Sequence, residues 1–229
     1  MTSSTQFALE TCPIALTPDT PKGAIILHAV SGSGVWGKGI ASEIGAVLPA
    51  ANIEYTAFCD KNKFSSDEAY PARDGVTGRA LLIPPQAQDA GQGAPEVFVA
   101  CLFTSYGSGF ADAEKGKPPL DMQDVILAQT RQALRDLRLQ LDDLVGRGGG
   151  GGNKSVGSSV KTAGLATPPV IYSPKFNSGA FHVPWEKTAA LVEEAFAGWD
   201  GKCDCTGIII VVDNSDKKIT PEEHVFNLH

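Results

Sequence analysis

Apolar residues along this chain cluster in two ways, as unbroken blocks and at helical spacing. The blocks are "AIILHAV" (24–30), "RALLIPP" (79–85), "VFVACLFT" (97–104), "VIYSP" (170–174) and "GIIIVVD" (207–213). They are short, mostly rich in β-branched residues, and bounded by Gly, Pro or Asp, which predicts strands buried on both faces. "QFALET" (6–11) is a shorter strand candidate. Between the blocks the period lengthens. Ile40, Ile44, Val47 and Leu48 share one face of a helix starting near 39, Pro49 stops it, and a second short helix covers 51–59. Apolar residues at 122, 125, 126, 134, 137, 141 and 144 predict an amphipathic helix over 120–145, and 186–199 predicts another. Residues 87–96 read as a loop.

Strand and helix therefore alternate. That order predicts a three-layer α/β/α sandwich, with helices on both faces of one sheet. "GRGGGGGNKSVGSSVKTAGLATPP" (146–169) is low-complexity sequence, expected to be a disordered insertion. One domain is expected over 1–213, with 214–229 as a tail.

Composition narrows the function classes. The 229 residues suffice for a sizeable core, and 42% hydrophobic with 7% aromatic content is ordinary for a soluble protein. The net charge is −7 with no Lys/Arg cluster, which argues against a nucleic-acid surface. A small anionic ligand stays open, because local backbone dipoles act at short range. Five cysteines, an odd number, suggest reduced thiols inside a cell. Cys203-Asp204-Cys205 lacks a second ligand pair, so neither a zinc site nor another metal or cofactor is expected. No secretory leader pattern is present, and no apolar run approaches the ~20 residues of a membrane span. The expected location is cytoplasmic, with the nucleus as a further possibility.

Chemistry is expected in three loops that follow strand ends: 31–39, 105–119 and 175–185. The first, "SGSGVWGKG", runs into a helix, where backbone N–H groups and the helix dipole favour an anion. Gly32, Gly34 and Gly37 spell G-x-G-x-x-G, a weak dinucleotide signal when alone. A dinucleotide loop also needs an acidic residue ~20 positions on at a strand end. Glu54 has the spacing but lies in "NIEYTAF", without a convincing strand, so another phosphate loop is the better reading. His28 ends the first strand, either as a hydrogen-bonded core histidine or as an acid/base. Ser31 and Ser33 read as turn residues, and Lys38 as an exposed first-turn residue or a phosphate neutraliser. Asp112 is a polar residue of the second loop, and Asn177-Ser178-Gly179 is a turn or a set of phosphate donors. His182 reads as solvent-facing and Trp185-Glu186 as a helix start.

Three motifs, "HAVSGSGVWGKGIA" (28–41), "VACLFTSYGSG" (99–109) and "SPKFNSGAFHVPWEKT" (173–188), resemble the macrodomain superfamily, closest to its fungal ADP-ribose 1″-phosphate phosphatase (Appr-1″-pase) type. The resemblance covers most of 24–199 and implies a central mixed sheet with a cleft for ADP-ribose or ADP-ribose 1″-phosphate. It implies hydrolysis of the latter to ADP-ribose and phosphate, with His28 and Asp112 as catalytic groups. Ala29, Val30, Ser31, Ser33, Gly34, Val35, Trp36, Gly37, Lys38, Gly39 and Ile40 would line the phosphate side. Asn177, Ser178, Gly179, Ala180 and Phe181 would form the second phosphate and distal-ribose loop, and Leu9, Glu10 and Thr11 would lie near the adenine. Such relatives carry asparagines where this chain has Ser31 and Ser33, and serine reaches less far. Phe181 stands where the lysine-and-aspartate subgroup that frees ADP-ribose from glutamate has its aspartate, which argues against that chemistry. The alternatives kept open are hydrolysis of ADP-ribosylated protein or of O-acetyl-ADP-ribose, and a non-catalytic ADP-ribose reader. An oxidoreductase ranks below these.

Overall fold

The computed structural model describes residues 16, 20–62, 73–112, 114, 118–148, 170–197 and 208–212. Five strands form where the apolar blocks predict them: β1 (Ile25–Ser31), β2 (Ala80–Ile83), β3 (Phe98–Ser105), β4 (Val170–Pro174) and β5 (Ile208–Val212). They make one sheet in the order β2-β3-β1-β4-β5. β1 runs parallel to β3 and β4, and β5 runs parallel to β4. β2 alone is antiparallel, against β3, so the sheet is mixed.

The helices are α1 (Ile40–Val47), α2 (Pro49–Lys61), α3 (Arg73–Val76), α4 (Ala87–Gly91), α5 (Gln123–Gly148) and α6 (Trp185–Phe196). Pro49 ends α1 and also begins α2, where its fixed φ and missing N–H cost nothing. Residues 146–148, expected to open the insertion, instead continue α5. The rest of that stretch, the strand candidate at 6–11 and the tail at 214–229 lie outside the described residues.

Successive strand side chains point to opposite faces, so each central strand feeds two cores. Ile25, Leu27, Ala100 and Leu102 meet Leu134, Leu137 and Leu141 of α5 and Leu191, Val192 and Phe196 of α6. Ile26, Val30, Val99, Cys101 and Phe103 meet Ile44, Leu48, Ala51, Tyr55 and Cys59 on the other side. Helix, sheet and helix stack as three layers, as the alternation predicts. Each fully buried aliphatic side chain contributes about 1.5–3 kcal/mol.

The segment expected to be a loop at 87–96 contains α4, one turn too short to show a period. It exists around Asp89, which is buried. Its carboxylate accepts the N–H of Ala50 at 2.8 Å and of Ala51 at 3.1 Å, capping α2 from a distant part of the chain. Leu48, the local N-cap residue, has no side chain able to do so. Asp89→Ala is expected to cost about 2 kcal/mol, because two helix N–H groups lose their acceptor. That lowers Tm by roughly 4–8 °C in a chain of this size. Asp89→Asn, which keeps one acceptor oxygen, should lose less in the same calorimetric scan.

Candidate active site

Because β1, β3 and β4 are parallel, their C-terminal ends share one edge of the sheet, with Ser31 paired to Ser105. Three loops leave that edge: L1 (32–39), L2 (106–122) and L3 (175–184). The three loops expected to carry chemistry are thus brought together.

L1 is built to present backbone donors. Gly39 combines φ 60° with ψ −147°, a conformation open essentially to glycine only. None of the backbone N–H groups from Gly34 to Lys38 meets an acceptor among the described residues. α1 starts directly after them with no side-chain cap, adding its unpaired N–H groups and the positive end of its dipole. The tryptophan among the glycines is the anchor. Trp36 is buried, stacks on Tyr55 at 5.2 Å, and Tyr55 stacks on Phe103 at 5.9 Å. The Tyr55 hydroxyl donates to Ser31 O at 2.5 Å, and Thr56 Oγ1 donates to Gly34 O at 2.9 Å. Both residues lie on α2, so the second helix grips the loop from below. Sequence reasoning missed Tyr55 and Thr56, for which no local motif exists. Glu54 is exposed in the middle of the same helix and not at the end of a strand, which removes the dinucleotide reading of Gly32, Gly34 and Gly37.

His28 lies inside the protein. It has no exposed surface and belongs to the layer under α1 and α2. Its ring meets Trp36 edge-on at 5.1 Å, and Nε2 lies 3.5 Å from Cys101 Sγ. Burial pushes its pKa down from 6.5 to about 3, so the ring is neutral at physiological pH. Burial likewise raises Cys101 well above the usual thiol range. The enclosed ring seats Trp36, and its Nδ1, like Trp36 Nε1, is buried without a partner among the described residues. The side chain of Val30 also belongs to this core, and Ile40 packs on it. Neither side chain faces the edge. Ala29 packs on the opposite core.

Ser31 is buried and its Oγ donates to Ser33 Oγ at 3.1 Å; Ser33 is exposed. Gly37 and Lys38 are exposed, and Val35 protrudes with 67% of its surface open. In L3, Asn177 adopts φ 65° and is buried, with its amide bonded inside the protein. Its Oδ1 accepts from Thr104 Oγ1 at 2.7 Å, and its Nδ2 donates to Thr130 Oγ1 at 2.9 Å. Phe181 is also turned inward, against Ile126 and Val183. What L3 offers outward is backbone: the N–H groups of Gly179, Ala180 and Phe181 meet no acceptor among the described residues. Two side-chain donors are also buried without a partner there, Trp36 Nε1 in L1 and Ser178 Oγ in L3. His182 is exposed, as expected, and Trp185 begins α6, meeting Phe176 edge-on at 6.0 Å.

L2 is cinched at its neck. Asp121 accepts the Tyr106 N–H at 2.7 Å and Gln129 Nε2 at 3.2 Å, and its own N–H donates to Ser105 Oγ at 3.3 Å. Asp112 sits half-buried in the loop beyond this neck. Leu9, Glu10 and Thr11 lie outside the described residues. Among the described residues no group of three His, Cys, Asp or Glu side chains is placed to hold a metal ion, and no helix is long and apolar enough to cross a membrane.

No family model matches the chain. Individual relatives do. The ADP-ribose 1″-phosphate phosphatase of Neosartorya fischeri is 35% identical over 190 residues, spanning 76% of this chain and 84% of the relative. The chain belongs to the ADP-ribose 1″-phosphate phosphatase family. The Aspergillus fumigatus phosphatase is 34% identical over 190 residues, with the same shares covered. The Scheffersomyces stipitis phosphatase is 32% identical over 181 residues, spanning 78% of this chain and 87% of its own. Among solved structures, the macrodomain of Mycobacterium tuberculosis DarG superposes with a TM-score of 0.54 at 15% identity, over 90% of this chain and 98% of that one. The macrodomain of Thermus aquaticus DarG gives 0.52 at 15% identity, over 90% and 99%. At that identity the agreement concerns the fold, and this phosphatase-family chain has the macrodomain fold.

Proposed function

We propose that the chain hydrolyses ADP-ribose 1″-phosphate to ADP-ribose and phosphate. Its relatives at 32–35% identity carry that activity in their names. The observation that carries the reading in the structure is a pairing. L1 and L3 leave neighbouring strand ends, and each holds a run of backbone N–H groups without protein acceptors. Two such donor runs suit a ligand with phosphates at two places, the internal pyrophosphate and the terminal 1″ group. Trp36 Nε1 and Ser178 Oγ add a side-chain donor to each run.

Hydrolysis forms a bond from water oxygen to phosphorus and breaks the bond from phosphorus to the 1″ oxygen. The proton lost by water ends on the leaving oxygen. In this reading Asp112, a half-buried acidic residue of L2, takes that proton, and the loop N–H groups steady the equatorial oxygens.

A second reading has its own observation. The Ser31 hydroxyl is buried and bonded to Ser33, so the pair presents less than two fixed amides would. A chain that holds ADP-ribose, free or on protein, without turning it over would fit that. Calorimetry with ADP-ribose and phosphate release from ADP-ribose 1″-phosphate decide between them. Binding with release supports the phosphatase, and binding without release from any ADP-ribose ester or conjugate selects the reader.

A further inference from the structure

We infer that Thr104, Asn177 and Thr130 form a buried clasp that sets the position of L3, and that all three are positioning residues for the reaction. The inference rests on the phosphatase reading for its assay.

The clasp begins at an irregularity in the sheet. Between β1 and β3 the register runs Val30 to Phe103 and then Ser31 to Ser105, so Thr104 has no partner across the ladder. A bulge of this kind re-aims a side chain. Here the Thr104 hydroxyl donates to Asn177 Oδ1, the Asn177 amide donates to Thr130 Oγ1, and the Thr130 hydroxyl donates to Ile126 O at 2.6 Å. The direction of every bond is therefore set, from the sheet through the loop into α5. Thr104 and Thr130 are fully buried and Asn177 nearly so, which keeps bulk solvent away from all three.

Only asparagine meets all the demands at position 177. It tolerates the left-handed φ of 65°, and it both donates and accepts in one plane. Its own carbonyl accepts the Val183 N–H at 2.9 Å, closing the loop. Two further ties hold L3 to α5: Gln123 Nε2 donates to His182 O at 2.8 Å, and Phe181 packs on Ile126. All these fastenings lie on the inner side of the loop. The unbonded N–H groups of Gly179, Ala180 and Phe181 lie between them. Donors held in that way act on a phosphate without first having to be ordered.

The test uses the full chain and four substitutions. Thr104→Val and Thr130→Val remove a hydroxyl at nearly constant size. Asn177→Gly keeps the left-handed backbone without strain and removes the amide. Thr130→Ser keeps the hydroxyl. Phosphate release is followed well below each variant's melting temperature. Asn177→Gly and Thr130→Val are expected to lower kcat/KM by about 10- to 100-fold through loop misplacement. The two threonine changes combined should lose less than the product of the single losses, because either one breaks the same chain. Thr130→Ser should turn over like the parent. Two results overturn the inference: valine variants that melt earlier but keep parental kcat and KM, or a loss confined to Asn177→Gly with both valine variants intact. If the parent itself releases no phosphate, the phosphatase reading fails alone. The same ranking of variants is then expected in ADP-ribose affinity, and an unchanged affinity in Thr130→Val overturns the clasp.

Discussion

Gly107→Ala is expected to lower kcat/KM for phosphate release by about 10- to 100-fold, because it forces L2 off its seat. A Cβ at Gly107 would run into the carbonyl oxygens of Pro118 and Pro119 and come within 2.7 Å of Pro118 C. All three obstacles are backbone, so no side-chain rotation relieves them. The neck that would have to open is the one closed by Asp121 on the Tyr106 N–H and by Ser105 Oγ on Gly107 O. Overpacking of this kind costs about 1–3 kcal/mol, or roughly 2–12 °C in Tm for a chain of this size. Asp112→Asn separates position from chemistry. It leaves the neck intact and should lower kcat by about 100-fold while ADP-ribose affinity holds. If Gly107→Ala shifts Tm but leaves kcat/KM untouched, L2 lies outside the working part of the site.

How far the fold and site are legible in the sequence depends on the range of the interaction. The strands and α5 are visible because each repeats one signal many times, as with Leu134, Leu137 and Leu141. The position of the three loops at one sheet edge follows from the same reading, since buried parallel strands end together. What the loops do is much less visible. Trp36 looks out of place among glycines until Tyr55 is seen beneath it, 19 positions later in the chain. Asp89 reads as a loop residue until Ala50 and Ala51 are placed beside it. Asn177 invites a ligand-facing role because asparagine commonly supplies one. Its partners, Thr104 and Thr130, are 73 and 47 positions away; Thr104 sits in the 99–109 motif, but nothing there points to position 177, and Thr130 sits in no motif. Long-range polar contacts have no period, so a single sequence carries no trace of them.

His28 is the clearest case, and its titration gives the second large expected effect. The folded ring resists protonation down to about pH 3, whereas an unfolded histidine binds its proton near 6.5. Below 6.5 the unfolded chain therefore holds more protons than the folded one, and acid favours unfolding. The stability tied to the neutral ring is fully present above 6.5 and is lost as the pH falls from there toward 3. Each pH unit inside that window is worth about 1.4 kcal/mol, so urea melts at pH 7 and pH 5 should differ by about 2 kcal/mol on account of this one group. Carboxylates titrate toward the lower end of the same window, and the comparison is therefore made against His28→Leu, which keeps them and removes the ring. In that variant the difference between the two pH values should shrink to the carboxylate part alone. His28→Ala adds a functional readout. It empties the space beside Trp36, loosens L1, and should weaken ADP-ribose binding and turnover by the same factor. A kcat that collapses while binding holds would make His28 an acid or base. An acid slope unchanged in His28→Leu would mean that the ring is not enclosed in solution as its contacts with Trp36 and Cys101 indicate.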